Sequence, residues 1–318
     1  MPGRNDPGVR PMHAGSLPLK IRDEIQGVSF PALVLYPTDV PSVPTAFGPY
    51  IMHVSPDAPV ADGRFPIVVF SHGNGGSHLA HRTIALHLAR NGHVVALVEH
   101  PGNNRNDNAL AGTHENLGNR PRHIRLAIDA IASDPRLGNH AQADNVAVVG
   151  HSLGGYTALA AAGGQPLSET GQPVEVVADR RIRSLVLLAP ATAWFPAGDS
   201  LRHVDVPILM LVAEHDPYTP RWHADFVLAG VPDRNRVDFR VVANAGHFSF
   251  LSPFPAAMNG AAFLPSTDPA GFDREAFHAW LPGEVLRHLG TTLDRPAASS
   301  GTPGASSPSP EALACPRA

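Results

Sequence analysis

The stretch VAVVGHSLGGYTALAAAGG, residues Val146–Gly164, interrupts an apolar run with a glycine-flanked serine and continues at once as an alanine-rich segment. The pattern predicts a buried strand, an abrupt turn and a helix. Gly150 and Gly154 carry no side chains, so the strand and the helix can approach each other closely. Ser152 then projects its hydroxyl from the turn, and the N–H of Leu153 points toward the same place. The stretch therefore predicts a nucleophile elbow.

Short apolar runs alternate with amphipathic segments on both sides of this turn. We predict strands over residues 28–37, 65–73, 93–102, 145–152, 184–190, 207–216 and 237–247, and helices over residues 78–92, 120–135, 153–164, 221–230 and 273–290. Repeated strand–helix order and near-continuous apolar strands favour an α/β class with a mostly parallel central sheet and helices on both faces. Polar turns follow five of the strands, as SHGNGG, EHPGNN, GHSLGG, EHDPYTP and AGHFSF. Because functional loops gather at the carboxyl ends of parallel strands, we expect these turns to converge.

A serine nucleophile needs a base, and the base needs an acid that orients it. In this type of sheet the three follow in the order serine, acid, histidine, each after a later strand. Asp216 closes the strand PILMLVAEHD and is favoured over Glu214, which falls within that strand. His247 follows the last strand and is favoured as base over His223, which falls in a helical segment.

An oxyanion formed during acyl transfer needs two preorganised N–H donors. Leu153 supplies one of them. The glycine-rich turn after the strand FPIVVFS supplies the other, and we expect the backbone N–H of Asn74 rather than that of Gly75.

With these residues in hand, the chain resembles the α/β-hydrolase superfamily, and more closely the bacterial predicted dienelactone hydrolases related to platelet-activating-factor acetylhydrolases. The matching stretches include VVFSHGNGGS, LARNGHVVALVEHPGNN, VVGHSLGGYTAL, LVAEHDPYTP and AGHFSFLSPFP, spread over residues 28–290. The resemblance implies the α/β-hydrolase fold, with Ser152 as nucleophile, Asp216 as acid, His247 as base, and the N–H groups of Asn74 and Leu153 as oxyanion hole. Dienelactone hydrolases use a cysteine nucleophile, so their substrate is not carried over.

Aromatic side chains near the predicted strand ends indicate an apolar acyl pocket, which suits an ester of a short or medium acyl group. We expect Trp194, Phe195 and Phe248 to line it. The long connection 249–273 is a candidate lid. The polar stretch EHPGNNRNDNALAG either contacts a polar substrate or is a solvated loop, and the sequence favours neither.

Composition narrows the class of protein. The 318 residues are 43% hydrophobic and 16% charged, with a net charge of −4, so a globular protein that binds a small molecule is expected and nucleic acid is not. We expect one domain over 16–290, a flexible arm over 1–15 and a disordered tail over 291–318, which holds the single cysteine, Cys315. No signal peptide, membrane span, metal site or cofactor is expected, and the location is expected to be cytoplasmic. The oligomeric state is not predicted.

The sequence thus favours a cofactor-independent serine hydrolase that cleaves an ester through an acyl-enzyme. A peptidase, amidase or thioesterase would use the same three residues. A binding protein that keeps the fold without turnover is the alternative outside the enzymes. A metal-dependent hydrolase is disfavoured because no H-E-x-x-H motif occurs, although Glu99, His100 and His72 stand near predicted strand ends.

Overall fold

A ten-stranded sheet forms the centre of the chain in the computed structural model, which describes residues 12–196 and 198–293. The strands are β1 (His13–Asp23), β2 (Val28–Thr38), β3 (Val43–Phe47), β4 (Tyr50–Pro56), β5 (Phe65–Ser71), β6 (Val94–Val98), β7 (Ala141–His151), β8 (Ile182–Leu188), β9 (Ile208–Ala213) and β10 (Val237–Val242). The α-helices are α1 (Arg82–Arg90), α2 (His114–Ser133), α3 (Leu153–Ala161), α4 (Trp222–Gly230) and α5 (Arg274–Thr292). The predicted arm up to residue 11, most of the predicted tail and Cys315 lie outside the described residues.

The strand order is β10-β9-β8-β7-β5-β6-β2-β1-β4-β3. The six strands from β10 to β6 pair in parallel, as predicted from their continuous apolar runs. The four strands from the N-terminal part differ: β2 pairs antiparallel with both β6 and β1, and β3 pairs antiparallel with β4. Strands β1 and β4 pair in parallel. The parallel half from β10 to β6 therefore carries the predicted turns, and the mixed N-terminal half extends the sheet to one side.

Alternate residues of the central strands face two separate cores. In β5, Ile67 and Val69 belong to one core and Val68 and Phe70 to the other. Helices α2, α3 and α4 cover the first face, and α1 and α5 cover the second. Because both faces are covered, every one of these strand residues is buried, which is why the sequence shows apolar runs instead of alternation.

A proline inside α2 ties that helix to α3. Pro121 has no N–H to give to the carbonyl of Leu117, four residues earlier. The hydroxyl of Tyr156, on α3, donates to that carbonyl instead (3.0 Å), and Tyr156 is itself fully buried. The proline therefore costs no buried hydrogen bond, and α3 is fixed against α2 close to the turn that precedes it.

Several predicted boundaries need correction. Strand β1 begins at His13, inside the predicted arm, and β1, β3 and β4 were not predicted at all. Helix α2 begins at His114 rather than near Arg120, because Thr113 caps it by accepting from the N–H of Asn116 at 3.1 Å. Helix α5 ends at Thr292, just inside the predicted tail.

The two longest α-helices in the described part of the chain, α2 with 20 residues and α5 with 19, both carry charged side chains along their length. Neither of them, nor any other helix in that part, is both long and apolar enough to cross a membrane.

Candidate active site

Ser152 lies at the sharp turn between β7 and α3, with φ 55° and ψ −121°, in a region that non-glycine residues rarely adopt. The turn is possible because three neighbours have no side chain. A Cβ on Gly150 would lie 2.1 Å from the carbonyl oxygen of Gly154, and a Cβ on Gly154 would lie 1.9 Å from that of Ser71. A Cβ on Gly155 would lie 2.5 Å from the Cβ of Pro190. These close approaches hold the strained serine in place.

The three residues predicted to act together are connected by hydrogen bonds. The Oγ of Ser152 lies 3.0 Å from Nε2 of His247, and Nδ1 of His247 lies 2.7 Å from Oδ2 of Asp216. An ionised carboxylate only accepts, so Nδ1 of His247 carries the proton and Nε2 accepts from the serine hydroxyl. A serine, a base and an orienting acid in this arrangement can generate a nucleophile.

The carboxylate of Asp216 is buried and accepts four close hydrogen bonds. Its Oδ1 accepts from the N–H groups of Tyr218 and Thr219 (both 2.8 Å), and its Oδ2 accepts from the hydroxyl of Thr219 (2.7 Å) as well as from His247. Burial opposes ionisation, but the hydrogen bonds from His247 and Thr219 outweigh it and lower the pKa of Asp216 to about 2. The site therefore keeps this carboxylate charged at neutral pH.

The competing candidates have other partners. Glu214 is exposed, and its Oε2 accepts from the N–H of Asn244 at 2.8 Å, which supports the turn after β10. His223 is buried on α4, where its Nδ1 accepts from the N–H of Thr192 at 2.9 Å. Neither residue joins the chain of hydrogen bonds that ends at Ser152.

The predicted N–H donors lie beside Ser152. Leu153 is the first residue of α3, where a helix offers its N–H no internal acceptor and where the helix dipole favours negative charge. The N–H of Asn74 also has no acceptor among the described residues, and both residues line the same cavity as Ser152. A Cβ on Gly73 would lie 3.2 Å from the Cβ of Ser152, so the turn that carries Asn74 packs directly against the serine.

A cavity of about 860 Å³ opens over Ser152. Four of the five turns that the sequence predicted would converge line it, and the fifth, EHPGNN after β6, does not. Three later residues of the connection between β6 and α2, Arg105, Gly112 and Thr113, do line it. Six aromatic side chains line it, those of Tyr50, Trp194, Tyr218, Phe248, Phe254 and Phe263. Polar residues, including Asn116, Ser168, Glu169 and Gln172, line it as well. The site can therefore take a ligand that has both apolar and polar groups.

Two of the three predicted pocket residues line the cavity, and the third does not. Trp194 and Phe248 line the cavity, as predicted. Phe195 does not, and that prediction is wrong: its side chain is 1% exposed and stacks on Tyr156, with ring centroids 5.4 Å apart. The chain turns between Trp194 and Phe195, so that the two adjacent rings point to the cavity and to the core.

The connection 249–273 contributes to the cavity through Leu251, Phe254, Phe263 and Pro265. It contains two short 3-10 helices, Ala256–Met258 and Leu264–Ser266. Arg274, at the start of α5, forms an ion pair with Asp268 of this connection at 2.9 Å. Its movement as a lid stays a prediction.

Three residues of the site were not predicted from the sequence. Thr219 donates to Asp216, and its signal was available as a hydroxyl three residues after the acid. His151, inside the G-x-S-x-G motif, donates from Nε2 to the carbonyl of His247 at 3.0 Å. Tyr50 comes from β4, which the sequence pattern did not reveal, so no signal pointed to it.

The histidines and acids near the sheet edge are partnered with one another. His78 Nδ1 lies 2.9 Å from Glu99 Oε2, and the rings of His72 and His100 meet edge to face at 5.0 Å. Within the described residues, no group of three or more histidine, cysteine or acidic side chains is arranged to hold a metal ion.

Known proteins share the fold that carries this site. The model of the α/β-hydrolase fold family matches residues 66–202, the segment that holds β5 to β8 and the elbow. Among solved structures, a ferulic acid esterase from Streptomyces cinnamoneus is similar, with 18% sequence identity, a TM-score of 0.63, and coverage of 92% of this chain and 95% of that one. No curated protein is significantly similar in sequence.

The close approaches around the elbow predict that Gly154→Ala lowers the free energy of unfolding by about 3 kcal/mol or more, since a Cβ there meets the backbone of Ser71 and nothing flexible can yield. Gly283→Ala is the control, because Gly283 lies on the exposed face of α5 with no atom within 4 Å of the added Cβ. It should leave stability unchanged or raise it by up to about 1 kcal/mol. Urea unfolding measures both, and equal values for the two variants would contradict the packing argument.

The lowered pKa of Asp216 predicts a pH-dependent contribution to stability. The carboxylate stabilises the fold above its ordinary pKa of 3.8, and this contribution is lost as the pH falls toward 2. Asp216→Asn should therefore be less stable than wild type by about 2 kcal/mol at pH 6, and the difference should shrink toward pH 2. Urea unfolding across this range measures it, with the exposed Asp39→Asn as control. A difference that does not change with pH would contradict the assignment.

Proposed function

We propose that this protein, which has the α/β-hydrolase fold, is a serine hydrolase that cleaves esters through an acyl-enzyme. One observation carries the proposal: a strained serine at a strand–helix turn, hydrogen-bonded to His247, which is hydrogen-bonded in turn to a buried carboxylate. The family match and the esterase among the similar structures support it.

In the proposed reaction, His247 Nε2 takes the proton of Ser152 as Oγ attacks the ester carbonyl carbon. Asp216 holds the histidine in the required tautomer and stabilises the imidazolium that forms. The N–H groups of Leu153 and Asn74 stabilise the tetrahedral oxyanion, and the helix dipole of α3 adds to this. The intermediate collapses, and His247 gives the proton to the departing alcohol.

Deacylation repeats the sequence with water. His247 removes a proton from the water as its oxygen attacks the acyl carbon, and a second tetrahedral intermediate forms at the same donors. Its collapse breaks the bond to Ser152, whose Oγ takes back the proton from His247, and the acid product leaves. All the groups needed are side chains or backbone of this chain, so the proposed reaction uses no cofactor.

The acyl group that we propose is aromatic. Six aromatic side chains line the cavity, and the ring of one of them, Tyr218, lies 5.0 Å from that of His247. Aromatic rings in contact gain attraction beyond the area they bury. The similar esterase is described as acting on ferulic acid esters, which carry an aromatic acid, and this supports the same substrate class here.

Two alternatives share parts of this site. An amidase, peptidase or thioesterase would use the same three residues and differ in its leaving group, so a matched ester and amide of one acid separate it from an esterase. A binding protein without turnover would keep the cavity and not the reactivity of Ser152. The complete hydrogen-bonded set favours turnover, because a binding site has no use for a buried carboxylate behind a histidine.

Ser152→Ala should lower kcat by at least about 10⁴-fold, since it removes the nucleophile and leaves the rest of the site. A fluorophosphonate should add once to the wild type, seen by intact mass, and not to the variant. Ser133→Ala, at the exposed end of α2, is the matched control and should retain both labelling and turnover of p-nitrophenyl esters. Labelling and hydrolysis that persist in Ser152→Ala would refute the assignment.

Trp194→Leu tests the substrate class. The change should lower kcat/KM for p-nitrophenyl cinnamate by about 3–10-fold more than for p-nitrophenyl acetate, because only the aromatic acyl group loses a ring contact. The two esters share a leaving group, so the ratio reports the acyl side alone. Trp280→Leu, on the outer side of α5, should leave the ratio unchanged. Equal losses for both esters would argue against an aromatic acyl pocket.

A further inference from the structure

Arg120, on α2, is fully buried and has no acidic partner among the described residues. Its guanidinium donates to four neutral oxygens: Thr157 Oγ1 (3.0 Å), Asn103 Oδ1 (2.6 Å), Ser71 Oγ (3.2 Å) and the carbonyl of His72. A buried charge is normally paired with an opposite charge. This one is hydrogen-bonded but not neutralised, and its position behind the elbow suggests a reason.

One side of the guanidinium holds the turn that carries Asn74. It donates to the carbonyl of His72, two residues before Asn74. It also donates to Asn103, which is fully buried and passes a hydrogen bond from its Nδ2 to the side-chain oxygen of Asn74 at 2.6 Å. The backbone on one side of Asn74 and its side chain are thus both tied to Arg120.

The other side of the guanidinium holds the start of α3. Its Nε donates to the hydroxyl of Thr157, and that hydroxyl donates to the carbonyl of Leu153 at 3.0 Å. Leu153 supplies the second N–H of the proposed oxyanion hole. One planar group therefore connects the turn after β5 with the first turn of α3, and the spacing of these two segments sets the distance between the two N–H donors.

Arg120 stays charged at neutral pH although it is buried. Burial lowers the pKa of Arg120 to about 9, which leaves it protonated at neutral pH. Burial and the nearby arginine together hold the pKa of His72 and of His100 well below the usual range, so both rings stay neutral. Among the described residues no acidic side chain forms a hydrogen bond or an ion pair with Arg120, so its charge is not neutralised before the substrate carbonyl becomes an oxyanion.

We propose that Arg120 is a positioning residue of the oxyanion hole, which fixes the two N–H donors relative to each other and presents an unneutralised positive charge behind them. The inference rests on the proposed function, since it needs an oxyanion to form at Ser152. It goes beyond it by assigning the buried charge of α2 to transition-state stabilisation. A preorganised charge in a water-excluded site acts strongly on charge that develops only in the transition state.

Arg122, two residues away on the same helix, differs from Arg120 because it is paired with an acidic side chain. It is 15% exposed and forms a hydrogen-bonded ion pair with the buried carboxylate of Asp23 at 2.9 Å. That arrangement fastens α2 to the end of β1 and involves no residue of the cavity. Arg122→Gln is therefore a matched control, because it also removes a guanidinium from α2 but leaves the cavity and Arg120 in place.

The test compares Arg120→Met and Arg120→Lys with Arg122→Gln in the full chain. We expect Arg120→Met to lower kcat for a p-nitrophenyl ester by about 10²–10³-fold while KM stays within about threefold. The affinity for phenylboronic acid, which forms a negatively charged tetrahedral adduct with a reactive serine, should fall in parallel with kcat/KM. Arg120→Lys keeps the charge but loses the fork of donors. It should fall between wild type and Arg120→Met.

Two milder substitutions test the same proposal if Arg120→Met does not fold. Asn103→Ala and Thr157→Val each cut one of the two connections and leave the arginine in place. Each should lower kcat by about tenfold with little change in KM. Combined with Arg120→Lys, each should cost less than the product of the two single losses, because both act through the same contacts.

The outcomes separate this inference from the proposed function. Folded Arg120 variants that match Arg122→Gln in kcat and in boronate affinity, while Ser152 still reacts with a fluorophosphonate, would overturn the role of Arg120 and leave the serine hydrolase intact. Equal losses of kcat and of folded protein, measured by urea unfolding, would assign Arg120 to stability only and also overturn it. A wild type that neither labels nor cleaves esters would overturn both.

Discussion

The site depends on a steric constraint at one turn. Ser152 adopts a backbone conformation that a serine avoids, and it does so because the backbones of Gly150, Gly154 and Ser71 approach more closely than any side chain would permit. The packing of β7 into both cores and of α3 into the first core holds the strained backbone, which turns the hydroxyl toward the cavity instead of into the sheet. The same close approach brings the turn after β5 beside the serine. The distance from Ser152 to its base and the location of both predicted N–H donors follow from this one contact between strand and helix.

Two buried charges flank the turn, and they are balanced in different ways. Asp216 is surrounded by donors and paired with His247, so its charge is stabilised before any substrate arrives. Arg120 is surrounded by neutral acceptors, and no acidic side chain among the described residues pairs with it. In the proposed reaction the first charge supports the imidazolium and the second supports the oxyanion. The two charges that develop in the transition state thus meet opposite charges already in place, which is the arrangement that preorganised active sites use.

The sequence predicted the parallel half of the sheet well, because strands buried on both faces leave continuous apolar runs, and the α/β-hydrolase fold is confirmed. Strand β1 (His13–Asp23) starts inside the predicted arm and carries Gly15, Pro18 and Lys20, so its pattern did not indicate a strand, and its pairing with β2 along its whole length is what makes it one. The order of serine, acid and histidine could be predicted because the fold fixes which strand ends meet. The catalytic roles of these residues stay predictions. The environment of Arg120 could not be predicted, since an arginine in an amphipathic helix normally faces water and its partners here come from distant parts of the chain.

The central claim is that Ser152 carries the acyl group during turnover. The most direct measurement uses a p-nitrophenyl N-alkylcarbamate, whose carbamoyl-enzyme hydrolyses slowly enough to be isolated, followed by proteolysis and mass spectrometry of the peptides. Attack by Ser152 forms a bond to the carbamoyl carbon and releases p-nitrophenol, with His247 carrying the proton. The account predicts one equivalent of p-nitrophenol released rapidly per chain and one carbamoyl group, located on Ser152. Release without an adduct, or an adduct on another residue, would contradict it.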